Sequence, residues 1–398
     1  MKKSTKYLLG ISVVLLSLAG LFYGSNLENW LRASIGILRL DKESSPQIES
    51  LKIGGLFALS GSAAYWGEDE LNATRLAIDE ANNDGGINGK KIELIVEDAP
   101  AIEDMPKSIL AFQKLVSVDK VNVIIGPTWD LVSEAIAPIA DQTKTLVISP
   151  DTTRGVELNK DYKFFFSTWL SEAAQAERIT QYIQKRGWKR IAVIRNNDTY
   201  SSITEQKLRE SLEKTNVLLV GDKVINDPEI RDFRTYISQA KLLNPDALYI
   251  VFTDEGVKCS FMRQAQELGF AKPILGELAT ENPDSVSKCP GAMEGIIYAY
   301  PKQGSAYINF LKKYQTKYNK LPASASVSNA YDAAKMVIGA MRQGKLSGDE
   351  IRASLLAIDD YNGVTAEHMK FGAEGSLVMP SASFIIKTVR NGAFEIVE

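Results

Sequence analysis

Histidine is almost missing from this chain of 398 residues: His368 stands alone, and Cys259 and Cys289 are the two cysteines. Transition-metal centres draw their ligands mostly from those residue types, so a metal site of the usual kind is excluded on supply and His368 reads as a surface or loop residue. Charge of one sign is lacking too. Lysine and arginine number 46 against 49 acidic residues, for a net charge of −3 and a pI near 5.6. That balance leaves no electrostatic footprint for nucleic acid. Enzyme signatures are equally scarce. No GxSxG or HExxH occurs, and the loop from Gly54 to Gly67 has neither GxGxxG nor GxxxxGKS/T spacing for a nucleotide. Ser117 to Lys120 and Ser285 to Lys288 match the SxxK of serine–lysine enzymes, but the companion KTG fails because Val389 follows Lys387 and Thr388. Asp79 and Glu80, adjacent carboxylates on a helix, read as a solvated outer face. The residues call for no cofactor and no catalytic centre.

What is present begins with Lys2, Lys3 and Lys6, followed by an uncharged run from Tyr7 to Tyr23. A basic head and an apolar run of this kind mark an exported chain. No clean small-x-small cleavage site precedes Glu28, and Leu21 stands where a lipoprotein would carry its acylated cysteine. The run is near the lower limit of about 17 residues for a membrane span. The expectation is therefore a signal or anchor segment over residues 1–26, uncleaved, with the rest outside the cytoplasm. Leu27, Trp30, Leu31, Ile35 and Leu38 share one helical face, which predicts a juxtamembrane helix; the polar stretch Asp41 to Ser50 reads as a tether, so 27–50 is helix and linker.

From Leu51 onward strands alternate with helices, the rhythm of parallel sheets covered on both faces. At this length two lobes are expected. Val121 to Arg154 shows the pattern best. The apolar run Val121–Ile125 predicts a buried strand, and a Gly-Pro break and an apolar stripe over Leu131, Ala135, Ile136, Ile139 and Ala140 predict a helix. A second strand, Thr145–Ile148, ends in Ser-Pro-Asp-Thr-Thr. Both turns fall at carboxyl ends of parallel strands, where open α/β sheets bind ligands. Residues 128–130 would offer free N–H groups at a helix N-terminus, a seat for an anion or a hydrogen-bonding solute. The tail predicts a hairpin around Asn391-Gly392.

The order of these elements and several phrases in the sequence resemble one family. IGGLFALSGSAAYWG at 53–67, AIDEANNDGGINGKKIELIVEDA at 77–99, IIGPTWDLVSEAIAPIA at 124–140, LVISPDTT at 146–153, NPDALYIVF at 244–252 and MRQAQELGF at 262–270 occur in its order and spacing. From Leu51 to the C-terminus the chain resembles the branched-chain amino-acid type of periplasmic substrate-binding protein. That resemblance implies the type I periplasmic-binding fold: two doubly wound parallel-sheet α/β lobes joined by three crossovers, near Ser167, Tyr300 and Ala357. The first lobe would comprise 51–167 plus 301–357, and the second 168–300 plus 358–398. It also implies a small-molecule ligand closed between the lobes and delivery to an ABC transporter permease; relatives that act as sensor ectodomains leave a second reading, and a serine–lysine envelope enzyme a remote third.

Carried over residue by residue, the resemblance puts ligand contacts at the loop aromatic Trp66, at Thr153, whose hydroxyl and N–H would hold an α-carboxylate, and at Tyr200 from the second lobe. It is broken twice. Asp130 stands where the family has a carboxylate-binding serine, and Leu278 stands where it has an ammonium-binding acid, with Glu277 adjacent. Asp130, Asp151 and Glu277 around one cleft would suit an amine, an amide or a hydroxyl-rich solute better than a plain α-amino acid. Asp130 can equally be an N-cap and Asp151 a turn residue. Asp254 joins the expected set by loop position alone. Cys259 and Cys289, even in number on an exported chain, can form a disulfide or stay as buried thiols.

Overall fold

The structure, a computed structural model, describes residues 50–100, 103–153, 162–227, 230–252, 254–304 and 306–398. The expected anchor and juxtamembrane helix lie outside the described residues. Among those residues no helix is long and apolar enough to cross a membrane.

The first sheet has five strands: β1 (Leu51–Phe57), β2 (Ile92–Asp98), β3 (Val123–Ile125), β4 (Leu146–Ser149) and β5 (Phe165–Ser167). They run parallel in the order β2-β1-β3-β4-β5. Side chains alternate between its faces with period two. Ile53, Phe57, Val123, Ile125, Leu146 and Ile148 pack with Leu71 and Ile78 of helix α1 (Ala64–Asn83). Leu56, Ile124, Val147 and Phe165 pack on the other side with Phe112 and Leu115 of α2 (Met105–Ser117) and with Val132 and Ile136 of α3 (Asp130–Thr143). Apolar residues on both faces are what a sheet covered by helices on both sides requires.

After Ser167 the chain enters a second sheet through α4 (Glu172–Lys185). Its strands are β6 (Arg190–Asn196), β7 (Leu218–Ile225), β8 (Ala247–Val251), β9 (Ile274–Gly276) and β10 (Ile297–Pro301). Between them come α5 (Thr199–Leu212), α6 (Arg234–Leu242), α7 (Glu255–Glu267) and the short α8 (Pro283–Ser287). The parallel strands repeat the first sheet's winding, in the order β7-β6-β8-β9-β10. This sheet is not purely parallel. The late hairpin β13 (Phe384–Arg390) and β14 (Ala393–Ile396) adds antiparallel to β10. Asn391 and Gly392 make its two-residue turn with φ of 51° and 70°, the left-handed values such a turn needs.

Between β10 and the hairpin, α9 (Tyr307–Tyr318) and α10 (Val327–Arg342) return to the first sheet's helix α1. Tyr314 donates to Asp69 at 2.7 Å and Tyr318 to the Asn72 carbonyl at 2.7 Å. Asp79 lies on the solvated face as expected, while half-buried Glu80 serves this packing. Glu80 takes Lys313 at 2.7 Å and Tyr331 at 2.6 Å, and Asp79 pairs with Lys317. Helix α11 (Gly348–Leu356), absent from the sequence expectations, is started by Ser347 and Glu350, which cap each other's backbone N–H groups. The S-x-x-E signal was there to be read. Strands β11 (Lys370–Phe371) and β12 (Leu377–Val378) form a small separate ribbon.

Cys259 of α7 and Cys289 are joined by a disulfide, with Cα atoms 6.0 Å apart. That separation is within the ordinary span of the bond.

Candidate functional site

The first sheet reverses its winding between β1 and β3, so the loops after those strands part and leave the chain ends of β1, β3 and β4 facing one place. Two glycines set how closely they meet. A Cβ on Gly67 would lie 2.1 Å from the Ala58 carbonyl oxygen, and one on Gly126 (φ 111°) would lie 2.0 Å from that of Leu56. Helix α1 and the turn after β3 can therefore rest directly on the end of β1. Helix α1 starts earlier than predicted, and Trp66 is in its first turn rather than in a loop. Trp129, the residue before α3, has φ 70°, a conformation that costs a non-glycine residue on the order of 1–3 kcal/mol and is held by its surroundings.

Asp151, in the turn after β4, accepts the Trp129 N–H at 3.0 Å. Asp130 accepts the Thr153 N–H at 2.7 Å. These two bonds revise the expectation. Asp130 is the first residue of α3 and does not cap its own helix; it reaches across to the next turn. The Thr153 N–H expected to hold a solute carboxylate is already taken by Asp130, and one of the N–H groups of 128–130 is taken by Asp151. A web of hydroxyls fastens the two turns. Ser149 donates to the Pro127 carbonyl at 2.9 Å, and Thr152 Oγ1 lies 2.6 Å from both Ser149 Oγ and Ser133 Oγ.

Two more acids, neither anticipated, complete the group. Glu70 of α1 is fully buried and accepts from Thr128 at 2.7 Å and from Ser326 at 2.6 Å. Glu172, in the first turn of α4, approaches the Thr153 side chain and the Trp169 indole. Burial raises all four carboxyls above their ordinary pKa, and the acids raise each other: Asp151 acts on Glu70, and Asp151, Glu172 and Glu134 act on Asp130. Asp151 is raised by burial against the hydrogen bonds that favour its ionised form. Glu172 is pushed up to about 7 by burial, with Lys207 pulling the other way. Two like charges about 4 Å apart cost about 4 kcal/mol at an effective dielectric of 20, which is why such a set holds protons.

Across from it the second sheet offers a settled arrangement. Tyr200 of α5 donates to Glu277 at 3.0 Å, the Ala279 N–H donates to it at 2.6 Å, and the Lys258 ammonium lies 3.0 Å away. Glu277 and Lys258 are 0% and 1% exposed, so this is a buried ion pair rather than a free acid awaiting an ammonium. The Tyr200 ring meets the Trp169 ring edge to face at 6.1 Å. Burial raises the Tyr200 phenol well above its ordinary pKa, helped by Glu277 and Glu172, so it is a neutral donor.

Trp66, Asp130, Asp151 and Thr153 thus share one constellation with Glu70 and Glu172, and Tyr200 and Glu277 adjoin it through Trp169 and Glu172. Asp254 does not join them. It is exposed and caps α7 by accepting the Val257 N–H at 2.8 Å. Glu70 and Lys258 could have been found in the sequence. Glu70 falls on the apolar stripe of α1 with Thr74, Ala77 and Ala81, and Lys258 on that of α7 with Phe261, Met262 and Ala265. A charge on an inward stripe needs a partner. Glu172 had no such mark, since an acid after Ser171 is ordinary at a helix start.

Among the described residues no group of histidine, cysteine, aspartate or glutamate is placed to hold a metal ion. A family model described as periplasmic binding protein matches residues 50–392. The chain belongs to that family. Among periplasmic binding proteins, the leucine-specific-binding protein of Salmonella typhimurium is 25% identical over 303 residues, covering 75% of this chain and 76% of its own. The Leu/Ile/Val-binding protein of Escherichia coli K12 is 23% identical over the same length, 75% of this chain and 77% of its own. A branched-chain amino acid transporter substrate binding protein from Streptococcus pneumoniae, solved with isoleucine, superimposes with a TM-score of 0.75 at 25% identity, over 88% of this chain and 99% of that one. A solute binding protein from R. palustris, solved with benzoate, shares the fold with a TM-score of 0.72 at 19% identity, over 87% of this chain and 95% of that one.

Proposed function

We propose that this periplasmic binding protein is the extracytoplasmic solute-binding component of an ABC importer. It captures a small polar molecule, an amino acid, an amide or a related compound, between a lobe of 51–167 plus 301–357 and a lobe of 168–300 plus 358–398. It then hands the solute to the permease. The observation that carries the reading is the constellation of Trp66, Asp130, Asp151 and Thr153 at the chain ends of β1, β3 and β4, adjoined by Tyr200 from the second sheet. The amino-acid ligands of the leucine-specific and Leu/Ile/Val-binding relatives support it. Solute bridging the two sheets would stabilise the closed state by contacts that exist only there. The segment 1–26 would tether the protein to the membrane; a mature N-terminus beyond Ser25 in mass spectrometry would remove the tether from this picture.

The test is a thermal-shift and small-angle scattering screen of the chain against amino acids, amides, amines, sugars and nucleosides. A solute at about 100 times its Kd adds about 2.7 kcal/mol of stability, and closure reduces the radius of gyration. A folded protein that no solute stabilises or compacts would reject the reading.

A further inference from the structure

Several buried polar atoms around the site lack a hydrogen-bond partner; on the second-sheet side Lys258 Nζ and Glu277 Oε1 are among them but lie 3.0 Å apart as an ion pair. Asp151 Oδ2, Glu172 Oε1 and the indole Nε1 atoms of Trp66 and Trp169 are all shut off from solvent, and none has a partner in hydrogen-bond geometry. Trp169 is 6% exposed and Asp151 7%. The Trp66 indole lies near Asp151 and the Trp169 indole near Glu172, yet neither pair meets hydrogen-bond geometry. Two carboxyl oxygens and two neutral donors therefore lie beside the turn N–H groups of Trp129 and Thr153, which are already engaged by Asp151 and Asp130. Lys207 is the cation felt by Glu172, and its ammonium is bound to Glu210 at 2.9 Å. Lys258, the buried cation nearby, belongs to Glu277.

Resting on the solute-binding reading above, we infer that this end of the site takes a positively charged organic nitrogen, and that the solute carries a neutral oxygen acceptor rather than a free carboxylate beside it. The nitrogen's N–H groups, or its charge if it is fully alkylated, satisfy Asp151 and Glu172. The oxygen of an amide or alcohol receives an indole N–H. A carboxylate in the same place would find its backbone donors taken and would face two acids. Amino amides and amino alcohols meet these demands; α-amino acids do not.

The test compares head groups on one side chain and on none. The full chain in mild detergent is titrated calorimetrically with leucinamide, leucinol and leucine, with the neutral 4-methylpentanamide, and with glycinamide, choline and glycine. At least one of the cations is expected to bind about tenfold or more tighter than its zwitterionic or neutral counterpart. In Glu172→Gln, and separately in Asp151→Asn should the first fold poorly, that preference is expected to collapse toward unity while any binding of 4-methylpentanamide persists. A purely structural role for Glu172 would lower stability without moving the ratio. Leucine binding more tightly than leucinamide overturns the inference and leaves the solute-binding reading standing. Cations that produce no saturable heat overturn it as well, and the wider solute screen then decides the broader reading separately.

Discussion

The two sheets present carboxylates to the same site in opposite states. On the second sheet Glu277 is spoken for: Lys258, Tyr200 and the Ala279 N–H surround it, and the charge is balanced in place. At the turns of the first, Glu70, Asp130 and Asp151 crowd together with Glu172 of α4, held by hydroxyls and backbone N–H groups but, among the described residues, matched by no buried cation of their own. Burial alone therefore says little about what an acid is for. A buried, paired carboxylate is structural; a buried, crowded one raises the free energy of the solute-free protein and is relieved by a cation from outside.

The contrast is broken most severely by Lys258→Met. It strands the Glu277 carboxylate in a fully buried position, and unfolding by denaturant should show a loss of about 3–5 kcal/mol. Adding Glu277→Gln should recover most of that loss. A cost below about 1 kcal/mol would mean that the pair is not the balanced unit described here. An acid-to-amide change in the crowded set should need no such background to stabilise. Glu172→Gln is expected to stabilise the solute-free protein at pH 8 by on the order of 1–3 kcal/mol, because a carboxyl pushed from 4.5 to about 7 is ionised at a cost there.

Acidity sharpens the comparison further. Glu172 keeps its proton up to about pH 7 when folded but loses it near 4.5 when unfolded, so its contribution to stability is full below about pH 4.5 and is lost as pH rises toward 7. The gap between Glu172→Gln and the parent chain should open across that window, and the affinity for an organic cation should rise as pH passes about 7, where Glu172 ionises in the folded chain. The groups that set this titration are Asp130, the Thr153 hydroxyl, the Trp169 indole, Tyr200 and Lys207. A gap that stays constant with pH would assign the titration elsewhere. The smallest effect belongs to Asp254→Ala. Loss of its cap on α7 should cost about 1 kcal/mol and leave solute affinity unchanged.

Much of this protein was written in local patterns. Apolar runs such as Val123–Ile125 and Leu146–Ser149, the Gly-Pro break between β3 and α3, and the Asn391-Gly392 turn specify strands, helices and a hairpin, because period, capping and left-handed turn chemistry act over a few residues. Their order and phrasing carried the family. The resemblance placed Trp66, Thr153 and Tyr200 at the site, while Asp130 and Asp151 could be placed near one another because turns at strand ends of a parallel sheet share an edge.

The tertiary structure alone decided which charges meet. Glu70 and Asp151, or Asp130 and Glu172, are far apart along the chain and become neighbours only when the sheet winds and α4 crosses to the second one. Glu277 looked like a free ligand acid until folding brought Lys258 within 3.0 Å, and Thr153 looked like a free donor until Asp130 reached it. Charge interactions depend on separation and on the surrounding dielectric, and neither quantity exists in the sequence until the chain has packed.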